Sequence, residues 1–152
     1  MMFVLFLAGS FAFILVHFTG LQNPRLEILG NGELRIHSRQ QVTSPLVYRT
    51  YQHALGFTYV TSSQNAVALR QKFHTIDGES FTPHRQMSKR EILSILGHQV
   101  VETQTNQIMQ VTYAFCARGR DFIMSGNRRV NLQIAQQNNR VTVGWPVILG
   151  SF

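Results

Sequence analysis

Ser88-Lys89-Arg90-Glu91-Ile92-Leu93-Ser94-Ile95-Leu96-Gly97 is the stretch that speaks most clearly about structure in this chain. Ser88 followed three residues later by Glu91 is a capping-box pattern. The hydroxyl can accept from a free amide of the first turn, and the carboxylate can reach back to the amide of the cap. Ile92, Leu93, Ile95 and Leu96 then recur at helical spacing, and Gly97 supplies the residue that closes helices in a left-handed conformation. The spacing predicts a helix over 88–96 with one apolar side, which needs a sheet or another helix to cover it.

Downstream the periodicity changes to two. Gln107–Cys116, Arg129–Ala135 and Arg140–Val143 read as strands, with Gln137-Asn138-Asn139 as the turn between the last two. Val130, Leu132 and Ile134 share one face of their strand and are expected to pack on helices. Asn131, Gln133 and Ala135 share the other, which reads as an open, polar face with Thr142 beside it.

Upstream, Leu26–Leu29 and Leu34–His37 flank Asn31-Gly32, a dipeptide suited to a hairpin turn with positive φ at both central residues. Ser44-Pro45 opens a second predicted helix, with Leu46, Val47, Tyr51, Ala54 and Leu55 as its apolar positions and Gly56 as its cap. Phe57–Thr61 and Ala66–Arg70 read as strands, and Thr75–Arg85 as a loop. The two helices each open on a Ser cap and close on a Leu-Gly pair, Leu55-Gly56 and Leu96-Gly97. This suggests two similar halves, about 26–86 and 87–152. Runs of neighbouring strands with few helices give an α+β class: an antiparallel sheet with two helices on one face.

The N-terminus has a different character. No Asp, Glu, Lys or Arg occurs in residues 1–20, and Met1–Phe18 is almost unbroken apolar sequence. About 20 residues of helix cross a bilayer. The polar stripe of a core helix is missing. Val16-His17-Phe18-Thr19-Gly20 puts Phe18 where a cleavage site wants a small residue. The expectation is a transmembrane signal anchor over 1–20, a linker over 21–25 and one α+β domain over 26–152. The domain is placed outside the cell membrane, single-pass, or secreted if the segment is cleaved. Arg25, the first charge after the apolar run, pulls mildly the other way.

All 14 basic and 7 acidic residues lie beyond this segment, so the +7 net charge belongs to the domain. Every basic residue except Lys72 and Lys89 is Arg. Such a balance favours anionic partners. Cys116 is the only cysteine and sits in a predicted strand, where burial is expected. It rules out an intrachain disulfide and a cysteine-based zinc site. The six histidines, His17, His37, His53, His74, His84 and His98, show no ligand spacing, so no metal and no cofactor is expected. Among the few carboxylates, Glu91 is accounted for by the cap, and Asp77 and Glu79 by a turn around Gly78. No nucleophile elbow or phosphate loop appears. The expectation is a protein that is not an enzyme.

The block from Ser88 to Ile148 resembles the second half of the YwmB family of Gram-positive bacteria. It is carried by the helix to Gly97, Val111-Thr112-Tyr113, Val130-Asn131-Leu132-Gln133-Ile134-Ala135 after a basic pair, and Gly144-Trp145-Pro146-Val147-Ile148 near the end. The family usually has Thr at the place of Trp145. The resemblance implies a fold like that of TATA-box-binding protein and an N-terminal export segment. It implies no activity.

Charge and resemblance together give two functional expectations. The first is an extracytoplasmic binding or structural protein of the cell envelope, held by its N-terminal helix. Arg118, Arg120, Arg128 and Arg129 are its candidate anion-binding residues, and an anionic envelope polymer, lipid headgroups or an envelope protein its partner. The alternative is a nucleic-acid-binding protein, with Asn131 and Gln133 on an open sheet face and the same arginines plus Arg140 at its edge. Minor-groove binders of such folds insert apolar wedges, which this face lacks, so nucleic acid is the less favoured partner.

Overall fold

The computed structural model describes residues 25–117 and 122–146, together with the backbone of Phe13 and Ile14. Its strands are β1 (Phe13–Ile14), β2 (Gly32–Ser38), β3 (Arg49–His53), β4 (Gly56–Ser62), β5 (Gly78–Pro83), β6 (Gln99–Thr105), β7 (Gln110–Phe115), β8 (Ile123–Ser125), β9 (Arg128–Val130), β10 (Leu132–Gln137) and β11 (Arg140–Trp145). The helices are α1 (Ala66–Arg70) and α2 (Lys89–Leu96), with short 3-10 turns at Leu26–Leu29 and Ser63–Asn65. Eight strands form one sheet in the order β3-β4-β2-β5-β11-β10-β7-β6, every pairing antiparallel. β1, β8 and β9 form a separate small sheet. The class is α+β, a large antiparallel sheet with two short helices.

One face of the large sheet carries the core. Leu34 and Ile36 of β2, Tyr59 of β4, Phe81 of β5, Leu132 and Ile134 of β10, and Val143 and Trp145 of β11 pack in one cluster. The same cluster takes in Ala66 and Leu69 of α1, Ile92 of α2, and Leu26 and Leu29 of the first 3-10 turn. Both helices thus cover the same face. Each buried side chain of this kind contributes about 1.5–3 kcal/mol. On the opposite face, Val111 and Tyr113 of β7 pack with Ile123 and Val130 of the β8–β9 hairpin.

Helix α2 forms as its sequence implies. Ser88 Oγ accepts from the Glu91 amide at 3.2 Å, and Gly97 closes the helix at φ 66°. Ile92 is buried, with Leu93 and Leu96 packed on the core, while Ile95 is exposed. The turn at Asn138-Asn139 also forms, Asn138 taking a positive φ.

Several expectations are corrected. Residues 44–56 are not a helix. Ser44 turns the chain once, its carbonyl accepting from Val47 N and its hydroxyl from Leu46 N. The β-favouring Thr50 and Tyr51 then run as β3 on the sheet edge, with Gly56 beside the turn that enters β4. Ala66–Arg70 is a helix and not a strand: Ala66 and Leu69, three apart, reach the core while Val67 faces solvent. Thr75–Arg85 contains β5, which sits in mid-sheet between β2 and β11. Asn31-Gly32 is no hairpin turn. Leu26–Leu29 is a 3-10 turn, the positive φ falls on Gly30, and Gly32 already belongs to β2. The predicted strand Gln107–Cys116 begins only at Gln110. Asn106 Oδ1 accepts from the amides of Ile108 and Met109, turning the chain between β6 and β7. Arg129–Ala135 is broken at Asn131, and its first part belongs to the small sheet. Cys116 is only half-buried.

The apolar segment of residues 1–18 lies outside the described residues except for Phe13 and Ile14. Their backbone is extended and pairs with Ser125 and Met124 of β8, which departs from the helix expected across them. Among the described residues no helix is long and apolar enough to cross a membrane.

Candidate functional site

The carboxylates decide where the basic charge is free to act. Glu27 and Glu79 share Arg70, Glu33 pairs with Arg35, Asp77 with Arg39, and Glu91 with Arg85. The remaining described carboxylate, Glu102, takes a hydrogen bond from Gln104. Arg25, Arg49, Arg90, Arg128, Arg129 and Arg140 are all exposed and make no ion pair with a described carboxylate. The positive excess therefore sits on exposed guanidinium groups.

Among the arginines singled out from sequence, Arg118 and Arg120 lie outside the described residues. Arg128 and Arg129 are neighbours on β9 and so point to opposite faces. Arg128 Nη1 donates to the Val101 carbonyl at 2.6 Å, tying β9 to the edge strand β6. Arg129 lies over the Phe122 ring, 4.7 Å from its centre, a cation–π contact. The two do not form one patch.

Asn131 and Gln133 are not on an open face: their exposures are 0% and 1%. Asn131 Oδ1 accepts from Cys116 N and its Nδ2 donates to Cys116 O, both at 2.9 Å. The amide thereby stands in for a strand neighbour where β7 ends. Gln133 lies between Tyr113 and Gly144 in the middle of the sheet. Strand alternation separates these residues from Leu132 and Ile134, but the break at Asn131 turns Val130 to the Val111–Tyr113 side, away from the face expected for it, and the β8–β9 hairpin adds a layer there.

A polar cleft opens at one end of the large sheet. Glu33 of β2, Thr82 at the end of β5, His84 and Arg85 beyond it, and Asn139 and Arg140 of the β10–β11 turn line a depression of about 330 Å³. Thr82 Oγ1, in the lining, and Thr142 Oγ1 are hydrogen-bonded at 3.0 Å, stitching β5 to β11. Continuing the register that pairs Val143 with Phe81 brings Arg140 alongside His84. Glu33, the acid on this rim, is held by Arg35 Nε at 2.8 Å. The sequence offers Arg140 as a candidate nucleic-acid contact at the sheet edge, with neither His84 nor Arg85 beside it. His84 and Arg85 read as loop in the sequence, because the signal that unites them with Arg140 is the β5–β11 pairing.

Two buried polar groupings complete the inventory. Arg70 donates to both oxygens of Glu27 at 2.7 Å and to both oxygens of Glu79 at 2.7 and 2.8 Å. Burial by itself would raise the Glu27 carboxyl, but the hydrogen bonds and charge of Arg70 hold it below its usual value. His37 Nδ1 meets Thr58 Oγ1 at 2.9 Å, and Thr58 Oγ1 meets His53 Nε2 at 3.2 Å. Burial, with the positive field of His53 and Arg35, lowers His37 to about 4, so it is neutral at pH 7. Among the described residues no three His, Cys, Asp or Glu side chains come together as metal ligands. Both oxygens of Glu27 and both of Glu79 accept from Arg70.

No protein-family model, curated protein or solved structure matches the chain.

Proposed function

We propose that this chain is a membrane-tethered recognition module of the cell envelope that binds an anionic partner and performs no catalysis. The observation that carries it is the pairing pattern above. Nearly every described carboxylate is matched to an arginine, and the unmatched arginines are all exposed. A set of unscreened cations on a rigid sheet attracts anions and steers their approach. The uncharged segment of residues 1–20 supports the tether, with the domain on the outer side. Insertion of Met2–Phe18 as a helix requires Phe13 and Ile14 to leave Ser125 and Met124.

The architecture is read as TATA-box-binding-protein-like, in keeping with the YwmB resemblance. Strands β2–β5 fill one side of the large sheet and β6, β7, β10 and β11 the other, with one helix from each half. Nucleic-acid binding through the sheet gains nothing from this. Its base-reading groups would be Asn131 and Gln133, and both are buried.

Location is the experiment to do first. Alkaline phosphatase fused after Phe152 should be active, because that enzyme works only outside the cytoplasm. An inactive fusion, together with an active cytoplasmic reporter at the same point, would put the domain inside and overturn the envelope reading.

A further inference from the structure

We infer that the cleft at the β5–β11 end of the sheet is a binding site for a phosphodiester group, with Arg140 as its main contact and His84 and Arg85 beside it. This deepens the anionic-partner reading and rests on it. Three features meet at the cleft: concavity, a lining of polar donors, and a cation with no ion pair to a described carboxylate. The depression of about 330 Å³ is large enough for a phosphodiester and part of its two substituents. Arg140 extends from a tight turn fixed by the left-handed Asn138, so its backbone is held while its guanidinium stays free. A guanidinium presents paired N–H donors at the spacing of two phosphate oxygens.

The other groups fit the same chemistry. The His84 amide donates to the Asn31 carbonyl at 2.9 Å, which fixes the start of the loop and leaves the imidazole exposed on the rim. Arg85 Nη2 is 2.6 Å from Glu91 Oε1, an exposed pair that a competing phosphate can share. Asn139 adds an amide. Glu33 is the one acid in the lining, and Arg35 neutralises it. It sets a limit on the ligand: a phosphodiester, with one charge, suits this balance better than a phosphomonoester with nearly two. The diester could belong to a soluble polyol-phosphate polymer or to a phosphoglyceride headgroup.

The test uses the full chain in a neutral detergent or nanodisc, with two probes: a water-soluble poly(glycerol phosphate), and vesicles of phosphatidylglycerol in phosphatidylcholine against phosphatidylcholine alone. The variants are Arg140→Gln, His84→Gln and, as a charge-matched control far from the cleft, Arg129→Gln. Arg140 and His84 are exposed and outside the core, so the variants should fold, which circular dichroism verifies. The expected result is binding of at least one probe, weakened about tenfold in Arg140→Gln, the loss of a charged hydrogen bond. His84→Gln should weaken it by less, and Arg129→Gln only by the small amount that one exposed charge away from the cleft contributes to the general attraction. Polymer binding alone identifies a wall polymer, vesicle binding alone a headgroup, and both the shared diester. Equal weakening by Arg140→Gln and Arg129→Gln would overturn the cleft while leaving a diffuse anionic attraction standing. Binding of neither probe would overturn both the cleft and the anionic-partner reading.

Discussion

Arg70 holds Glu79 in a two-pronged grip, Nε on one carboxylate oxygen at 2.7 Å and Nη2 on the other at 2.8 Å, with Glu79 fully buried. The same guanidinium reaches Glu27 with both of its outer nitrogens. One side chain thereby ties the first 3-10 turn, α1 and mid-sheet β5 together. The side-chain exposures are 17% for Arg70, 15% for Glu27 and 0% for Glu79, so solvent screens little of this. Arg70→Met strands two carboxylates beneath the helices. It should cost about 3–5 kcal/mol, a large part of the stability of a small domain. The urea midpoint measures it. The triple variant Glu27→Gln, Arg70→Met, Glu79→Leu should recover much of the loss. If Arg70→Met alone leaves the midpoint in place, the cluster is not what fixes α1 to the sheet.

Stability should fall in acid in two stages. His37 is lowered from 6.5 to about 4, by burial first and then by His53 and Arg35. As pH drops below 6.5 the unfolded chain takes a proton that the folded chain refuses. Stability is lost progressively down to about pH 4, by about 3 kcal/mol in all. Glu27 acts below that. Its folded value is depressed, so its contribution is full above the unfolded value near 4.5 and disappears as pH falls through the folded one. His98, lowered by burial against the opposing hydrogen bonds of Leu96 and Asn131, adds to the first stage in the same direction. Urea midpoints taken from pH 7 to pH 3.5 should show this slope, and His37→Asn should flatten most of it between pH 6.5 and 4. An equal slope in wild type and variant would mean that His37 is not the group responsible.

The glycine in Asn31-Gly32 is required for closeness and not for a turn. A Cβ on Gly32 would run into the Phe81 ring and would stand 2.5 Å from the Thr82 carbonyl oxygen. Gly32 opposes Pro83 across the β2–β5 pairing, and Phe81 is fully buried in the core, so neither neighbour can withdraw. Gly32→Ala should therefore destabilise by about 1–3 kcal/mol through overpacking, in spite of Ala's better backbone propensity. Thermal unfolding checks it, and a neutral or raised midpoint would contradict the close approach. Gly30, whose added Cβ meets nothing but whose φ is 109°, should tolerate Ala less for backbone reasons alone.

Legibility in the sequence followed the range of the interaction. The α2 helix, its Ser88 cap and the Asn138-Asn139 turn depend on neighbours within four residues, and all were readable. The face assignment of Leu132 and Ile134 needed only alternation. β3 and α1 were misread because short segments are settled by what they pack against: Tyr51 and Leu55 suit a helix by spacing, yet β4 offers an edge to pair with. β5 was hidden by Asp77-Gly78 and Pro83, turn formers that bracket a strand. Glu79 looked like a turn residue because its partner, Arg70, is positioned by a helix that the pattern did not give. The cleft was invisible for the same reason, since His84 and Arg140 meet only through pairing between β5 and β11.

The two halves of the capping box at α2 are unequal, and mutation should separate them. Ser88 Oγ accepts from Glu91 N at 3.2 Å, while the Glu91 carboxylate takes Arg85 Nη2 at 2.6 Å and, as a lesser contact, the Ser88 backbone amide. The Ser88 bond satisfies a donor that the helix cannot satisfy internally, so Ser88→Ala should cost about 1 kcal/mol. Glu91 is lowered chiefly by the hydrogen bond from Arg85, yet both side chains reach solvent, and an exposed pair of this kind is screened. Glu91→Gln should leave the urea midpoint unchanged within error at physiological salt, and Arg85→Gln likewise. Because α2 contributes Ile92 and Leu96 to the core, the loss in Ser88→Ala should appear in global unfolding and not only as fraying of one helix end. A Glu91→Gln loss as large as that of Ser88→Ala would show that the carboxylate matters to the cap as much as the hydroxyl does.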